Sequence, residues 1–127
     1  MPFLTYKDYE ILLSQFKKLL IERLGDSVVS LILYGSVARG TAHMESDIDL
    51  LLILKDAPKV YYERLQPIVE LEYELRKGEA YKELRLKGLM PCLSPIVLSQ
   101  EEARENRYIF LDMIEDALIL LDKGDFK

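Results

Sequence analysis

Cysteine is nearly missing from this chain. Cys92 stands alone, which excludes an internal disulfide and a cysteine-built metal cluster and fits a reducing compartment. Long hydrophobic runs are missing too: stretches such as Leu50 to Leu54 fall far short of a membrane span. The opening Met1-Pro-Phe-Leu-Thr-Tyr-Lys-Asp lacks the basic-then-apolar pattern of a secretion signal. Together these absences lead us to expect a cytoplasmic protein without membrane attachment. There is no excess of positive charge: 17 basic against 22 acidic residues give −5, so general attraction to a nucleic-acid backbone, and duplex binding with it, is not expected. Nor is there an internal repeat, a low-complexity tract or a polar linker.

What remains is ordinary for a globular chain. Half of the 127 residues are hydrophobic and 31% are charged, enough for one core and one domain over residues 1–127, without room for a second substrate domain of ordinary size. One basic stretch, Arg76, Lys77, Lys82, Arg85 and Lys87, interrupts the acidic balance. With Glu79 and Glu83 interspersed it reads as a solvated helix face, or as a local contact for a phosphate or an acidic partner.

Periodicity predicts an amphipathic helix from about Thr5 to Leu24, with Leu12, Phe16, Leu19, Leu20 and Leu24 on one stripe and Gly25 as the stop. Thr5 and Asp8 have the spacing of a capping box. Apolar strands follow over Val28–Tyr34 and Asp47–Leu54, the second apolar on both faces, as a covered central strand should be. A helical stripe then begins near Pro58 and runs to Arg76, with Pro67 expected to kink or split it. Tyr81–Lys87 reads as a further helix. Leu93–Ser99 reads as a strand that Pro95 confines to an edge or delays. Gln100–Asn106 and Tyr108–Leu121 read as closing helices. Alternating strands and helices give an α/β arrangement around a small sheet.

The chemistry concentrates in two linked segments. Leu33-Tyr-Gly-Ser-Val-Ala-Arg-Gly-Thr41 ends a strand at Gly35-Ser36 and feeds a short helix. Gly35 has no Cβ and allows close approach, and Ser36 can act as N-cap or offer its hydroxyl to a phosphate oxygen. The free N–H groups behind them favour anions. Then Ser46-Asp-Ile-Asp49 brings two carboxylates, Asp47 and Asp49, onto one face of a strand. Hard oxygen ligands in that pattern suit Mg²⁺ shared with substrate phosphates. Two acids opening an apolar central strand would otherwise lack a partner, and unpaired buried charge is costly.

Gly35, Ser36, Ala38, Arg39, Gly40, Ser46, Asp47 and Asp49 resemble the motif of the polymerase beta-like nucleotidyltransferase superfamily, and most closely that of its small stand-alone members, the minimal nucleotidyltransferases. The resemblance implies a mixed β-sheet packed with helices (an α+β fold). It implies metal-dependent transfer of a nucleoside monophosphate from a nucleoside triphosphate, ATP foremost, to a hydroxyl acceptor, with release of pyrophosphate. It also implies a two-ion Mg²⁺ site on Asp47 and Asp49, and β- and γ-phosphates on Gly35 and Ser36.

Other residues near the motif have open roles. Arg39 either reaches the triphosphate or pairs with an acid. Ser46 either orients the site through a carboxylate or the backbone, or serves as a turn residue. His43 lies in the loop between the motif halves, solvated or touching nucleotide.

One departure from the superfamily matters. Its catalytic members carry a third carboxylate on a neighbouring strand, and Leu93–Ser99 contains no acid. Glu79, Glu83, Glu101 and Glu102 flank that strand, each more simply read as a solvated helix residue. The alternative function is therefore a non-catalytic nucleotide-binding or antitoxin-type module. The resemblance supplies its candidate partner, a helical HEPN-type protein, and Tyr61, Tyr62, Tyr73 and Tyr81 are candidate interface residues.

Overall fold

A computed structural model describes residues 3–106 and 116–123. Helix α1 (Tyr6–Leu24) starts where the capping box places it: the Thr5 amide donates to Asp8 Oδ2 at 2.8 Å, and the Lys7 amide donates to Thr5 Oγ1 at 3.2 Å. It stops at Gly25, whose φ of +53° ends the helical path. Tyr9, Leu12, Leu13, Phe16 and Leu20 are buried, and Leu19 and Leu24 pack against the same core.

The sheet has four strands in the order β3-β2-β1-β4. Strand β1 (Val28–Tyr34) pairs antiparallel with β2 (Ile48–Leu54) and with β4 (Leu118–Asp122), while β2 and β3 (Leu93–Ser99) run parallel. The sheet is thus mixed, as the resemblance implies, and β3 lies at its edge. Pro95 therefore withholds no N–H that an inner ladder needs. Strand β2 is covered on both faces. Ile48, Leu50, Leu52 and Leu54 face the large core under α1 and α3, while Leu51 and Ile53 join a smaller cluster with Val29, Ile32 and Ala103.

The remaining helices are α2 (Gly35–Arg39), α3 (Tyr61–Arg76), α4 (Glu79–Leu86) and α5 (Gln100–Glu105). Helix α3 departs from the sequence reading twice. It begins at Tyr61 rather than near Pro58, and it passes through Pro67 as one continuous helix. Ile68, Leu71 and Leu75, buried on the far side of the proline, hold the second half in register with the first. The first half is fixed by buried Arg64, which donates to the Val97 carbonyl at 3.0 Å and to Glu102 Oε1 at 2.7 Å. Helix α4 begins two residues earlier than the stripe suggested.

The C-terminal reading needs the largest correction. Leu118–Asp122 is a strand, not the end of a helix, and residues 108–115 of the expected helix lie outside the described residues. A short Leu-Ile-Leu-Leu run has no period that separates a strand from a buried helix. The exposed hydrogen-bonding edge of β1 decides the matter, since pairing there satisfies it.

Candidate active site

The motif residues converge at one end of β1 and β2. Strand β1 stops at Tyr34, the cross-strand partner of Asp49, and the chain turns at once through Gly35 into α2. Gly35 has φ +77°, a conformation that side chains with a Cβ rarely adopt. The space a Cβ would need is filled by Asp49: a Cβ there would collide with Oδ2 and lie 3.0 Å from Cγ. The close approach expected at this glycine is thus made by a carboxylate of the protein itself.

Ser36 is not the N-cap. Tyr34 holds that position, no side chain caps the helix, and Ser36 is the second residue of α2. Among the described residues the first-turn amides have no intrahelical or side-chain acceptor, a donor set suited to an anion. Gly40 ends α2 in the left-handed region. The following loop is tied to the N-terminal segment by a two-way bridge, Leu4 N–H to Ala42 O at 2.9 Å and Ala42 N–H to Leu4 O at 3.2 Å.

Asp49 lies on β2, half-buried, whereas Asp47 is exposed and sits just before the strand starts at Ile48. The sequence reading placed both on the strand. Burial raises the Asp49 pKa above the ordinary carboxylate value, the Asp47 charge raises it further, and Arg39 pulls it back down. Arg39 is exposed on the last turn of α2 and, among the described residues, forms no ion pair within 4.0 Å. Its effect on Asp49 is therefore a through-space charge interaction rather than a clasp.

Ser46 turns to the backbone: its Oγ accepts from the His43 amide at 2.8 Å, and its own amide donates to the His43 carbonyl at 3.1 Å. These bonds close the loop that delivers Asp47. His43 is exposed, its ring edge-on to Phe3 with centroids 5.4 Å apart.

On the other side of Asp49, in parallel register, stands Ser94. The neighbouring strand thus offers a hydroxyl where an acid was sought. Among the described residues no group of three His, Cys, Asp or Glu side chains is placed to hold a metal. Of the flanking acids, Glu102 is committed elsewhere: it takes the buried Arg64 guanidinium and caps α5 with Ser99.

Two neighbours were not legible as site residues. Tyr34 shares the Asp49 position across the ladder, and burial, Asp49 and Tyr61 raise its phenol above the ordinary value. Cys92 lies beside Asp47: burial, Glu72 and Asp47 push its thiol up, with a hydrogen bond to Asp47 among the causes. Neither has a sequence signal, because strand register and loop return bring them there.

Comparison with known proteins gives this geometry a context. Residues 13–118, which include the whole Gly35–Asp49 segment, match the nucleotidyltransferase domain family. The chain belongs to that family. A protein of Methanocaldococcus jannaschii provisionally named a protein adenylyltransferase is 38% identical over 96 residues, 68% of this chain and 65% of the relative. The chain therefore spans just under two thirds of that relative's length. Among solved structures, a provisionally named nucleotidyltransferase of Sulfolobus solfataricus superposes with a TM-score of 0.55 at 17% identity, covering 94% of this chain and 87% of the other. That likeness is one of fold. A toxin–antitoxin crystal structure with AMP-PNP gives a TM-score of 0.47 at 17% identity over 87% of this chain and 73% of the other. This weaker likeness bears on neither function nor partner.

The residues of this nucleotidyltransferase domain suit a hard divalent cation. Asp47 and Asp49 provide carboxylate oxygens and already repel one another. The absence of a Cβ at Gly35 leaves room for the Asp49 carboxylate against the turn.

Proposed function

We propose that this chain transfers a nucleoside monophosphate from a nucleoside triphosphate, ATP foremost, to a hydroxyl acceptor, releasing pyrophosphate. The observation that carries the reading is the packing of the Asp49 carboxylate against the Cβ-less turn at Gly35. It sets the Asp49 carboxylate directly against an uncapped helix start.

In this reading Asp47 and Asp49 hold Mg²⁺, and Gly35 and Ser36 receive the β- and γ-phosphates through backbone amides and the Ser36 hydroxyl. When bound, the cations supply charge neutralisation at the α-phosphate and make the acceptor hydroxyl more acidic. The chain's own contribution is positioning. The α2 amides and Arg39 face the charge that accumulates on the departing pyrophosphate, and they need no reorganisation to do so. Ser46 fixes the loop from which Asp47 projects, and the Leu4–Ala42 bridge fixes the far end of that loop. A protein hydroxyl is the acceptor class that the name of the Methanocaldococcus relative suggests. Ser94, beside Asp49 on the neighbouring strand, is not a base at neutral pH and does not take the attacking hydroxyl's proton.

The test is calorimetric and enzymatic. Mg²⁺-dependent ATP binding should disappear in the double variant Asp47→Asn with Asp49→Asn, and pyrophosphate release with a competent acceptor should disappear with it. Unchanged binding in the double variant would sink the site.

A partner-binding reading stands beside the enzymatic one on a separate observation. Tyr62, Val69 and Tyr73 are 68%, 62% and 64% exposed and fall at helical spacing along one face of α3, whereas Tyr81 packs partly into the core. A helical partner of the HEPN type would cover that face. Val69→Glu should abolish capture of such a partner while leaving ATP binding intact. If the HEPN-type protein still binds the variant, α3 is not its docking face.

A further inference from the structure

The two acids of the motif are not held alike. Asp49 lies within the ladder, with Tyr34 opposite it on β1 and Ser94 on β3. Asp47 precedes β2, and among the described residues the β1 pairing stops at Asp49, so Asp47 and Ile48 are unsupported from that side. On the β3 side the Asp47–Ile48 peptide is held through its N–H: the Ile48 amide donates to the Cys92 carbonyl at 2.9 Å. The Cys92–Leu93 peptide is itself bonded at its other end, where the Leu93 amide donates to Glu72 Oε2 at 3.1 Å. A trans peptide points its C=O and N–H in opposite directions. Glu72, the Cys92–Leu93 peptide and the Asp47–Ile48 peptide therefore form one hydrogen-bonded row that ends at the first acid.

We infer that Glu72, on α3, is a positioning residue for the acid pair: through the Cys92–Leu93 peptide it fixes the Asp47–Ile48 peptide, and with it the direction in which the Asp47 carboxylate projects. The inference rests on the metal-binding reading of Asp47 and Asp49 above. A carboxylate that accepts from a backbone N–H makes a stronger bond than a neutral oxygen does. It also polarises the peptide, so that the Cys92 carbonyl accepts more strongly from Ile48. Glu72 is in turn well placed to act as an anchor. Its side chain is 24% exposed, its other oxygen faces the Arg76 guanidinium at 3.4 Å one turn further on, and its neighbours Leu71 and Leu75 fix this part of α3 in the core.

The Cys92 side chain acts in the same direction. Burial and the Glu72 and Asp47 charges push its thiol up, so at neutral pH it keeps its proton and donates to Asp47. Glu72 contributes position and not a ligand oxygen, since no group of three acid, His or Cys side chains among the described residues is placed to hold a metal. Partners that orient a metal ligand from behind change metal affinity by about 10–100-fold when they are removed.

The experiment is titration calorimetry on the full chain with Mg²⁺ varied at a fixed ATP concentration, which gives the Mg²⁺ concentration at half-maximal nucleotide binding. Glu72→Met keeps the length and helix preference of the side chain but removes the acceptor. Glu72→Gln keeps an acceptor oxygen for Leu93 and gives up a surface pair with Arg76 that is worth little. Glu70→Met, on the same helix, is the control, because Glu70 pairs with Arg23 at the surface. The Mg²⁺ midpoint should rise about tenfold in Glu72→Met and stay within about twofold in Glu72→Gln and Glu70→Met. In the metal-free protein, hydrogen exchange at the Ile48 and Leu93 amides should quicken in Glu72→Met and not in Glu72→Gln. An unchanged midpoint in folded Glu72→Met would overturn the proposal, even with faster exchange, by showing a structural bond without influence on the acids. Equal losses in Glu72→Met and Glu72→Gln would overturn it too, by assigning the effect to charge and not to the peptide row. Should Glu72→Met fail to fold, Glu72→Ala repeats the comparison. Failure of the unaltered chain to bind Mg²⁺-ATP would instead overturn the metal-site reading beneath, and unchanged exchange at Ile48 would then overturn the peptide row on its own.

Discussion

Gly35 and Asp49 occupy each other's space: the hydrogen on the Gly35 α-carbon is all that separates its backbone from the Asp49 carboxylate. The acid is thereby held against the turn, and the turn is possible only because residue 35 has no side chain. Gly35→Ala should lower stability by about 1–3 kcal/mol, partly through the positive φ and partly through the displaced carboxylate. Gly88→Ala separates the two parts. Gly88 has φ +87° with nothing within 4 Å of an added Cβ, so it reports backbone strain alone. Chemical denaturation should rank Gly35→Ala as the more damaging, and only Gly35→Ala should impair Mg²⁺-ATP binding.

The acid pair works against the fold that carries it. Burial and Asp47 raise the Asp49 pKa, so the native state binds that proton more tightly than the unfolded chain, and ionising the group destabilises the protein. This term falls away as pH drops through the carboxylate range and grows as pH rises through it. Asp47→Asn should therefore stabilise the metal-free protein by a few tenths to about 1 kcal/mol at neutral pH while removing Mg²⁺-ATP binding. Thermal melts in chelator, beside calorimetry with Mg²⁺-ATP, read both effects. A lower melting temperature for Asp47→Asn would contradict the repulsion.

Glu102 gives the opposite sign. The Arg64 guanidinium and the Ser99 amide hold its carboxyl at about 2, against an ordinary 4.5. Its contribution is therefore fully present above about pH 4.5 and is lost as pH falls from there towards 2. Glu102→Gln should remove this acid-side dependence. It should also destabilise the protein at neutral pH by about 1–3 kcal/mol, because Arg64 is buried and loses its charged partner. Denaturant midpoints measured for both proteins at neutral pH and at acid pH values stepped down from 4.5 towards 2 decide this. Parallel curves would rule the linkage out.

Pro67 lies well inside α3, where it leaves the Glu63 carbonyl without its helical donor. Pro67→Ala should raise stability by about 1–3 kcal/mol without altering nucleotide binding. A neutral or destabilising result in urea denaturation would mean that the proline makes packing contacts worth as much as the missing bond.

Much of this architecture could be read from residue order. The box at Thr5 and Asp8, the stop at Gly25, the span of β1 and the edge placement of β3 each follow from local chemistry, and the structure agrees with them. So does the apolar character of both faces of β2. Long-range geometry was less legible. The span Leu118–Asp122 is a strand because β1 has an edge to cover, which no local pattern records. Helix α3 survives Pro67 because buried residues on both sides of the proline pin it. At the site, the Gly-Ser and Asp-x-Asp segments announced themselves through spacing, whereas Tyr34 and Ser94 flank Asp49 through strand register. Phe3 and Leu4 reach the loop only through the return of the N-terminal segment. The role expected for Ser36 as N-cap failed because the left-handed turn at Gly35 already starts the helix.

The Leu4–Ala42 bridge has a kinetic consequence. The loop that carries Ser46 and presents Asp47 is anchored by residues that precede the whole of α1 and β1, so it is fixed only after that long span has closed. Local order within α1 and β1 can form early, while the placement of the Asp47 loop waits for a contact that closes across both. Amide hydrogens at Leu4 and Ala42 should then exchange as a pair. Their common opening rate would measure how often the site comes apart while the rest of the protein stays folded.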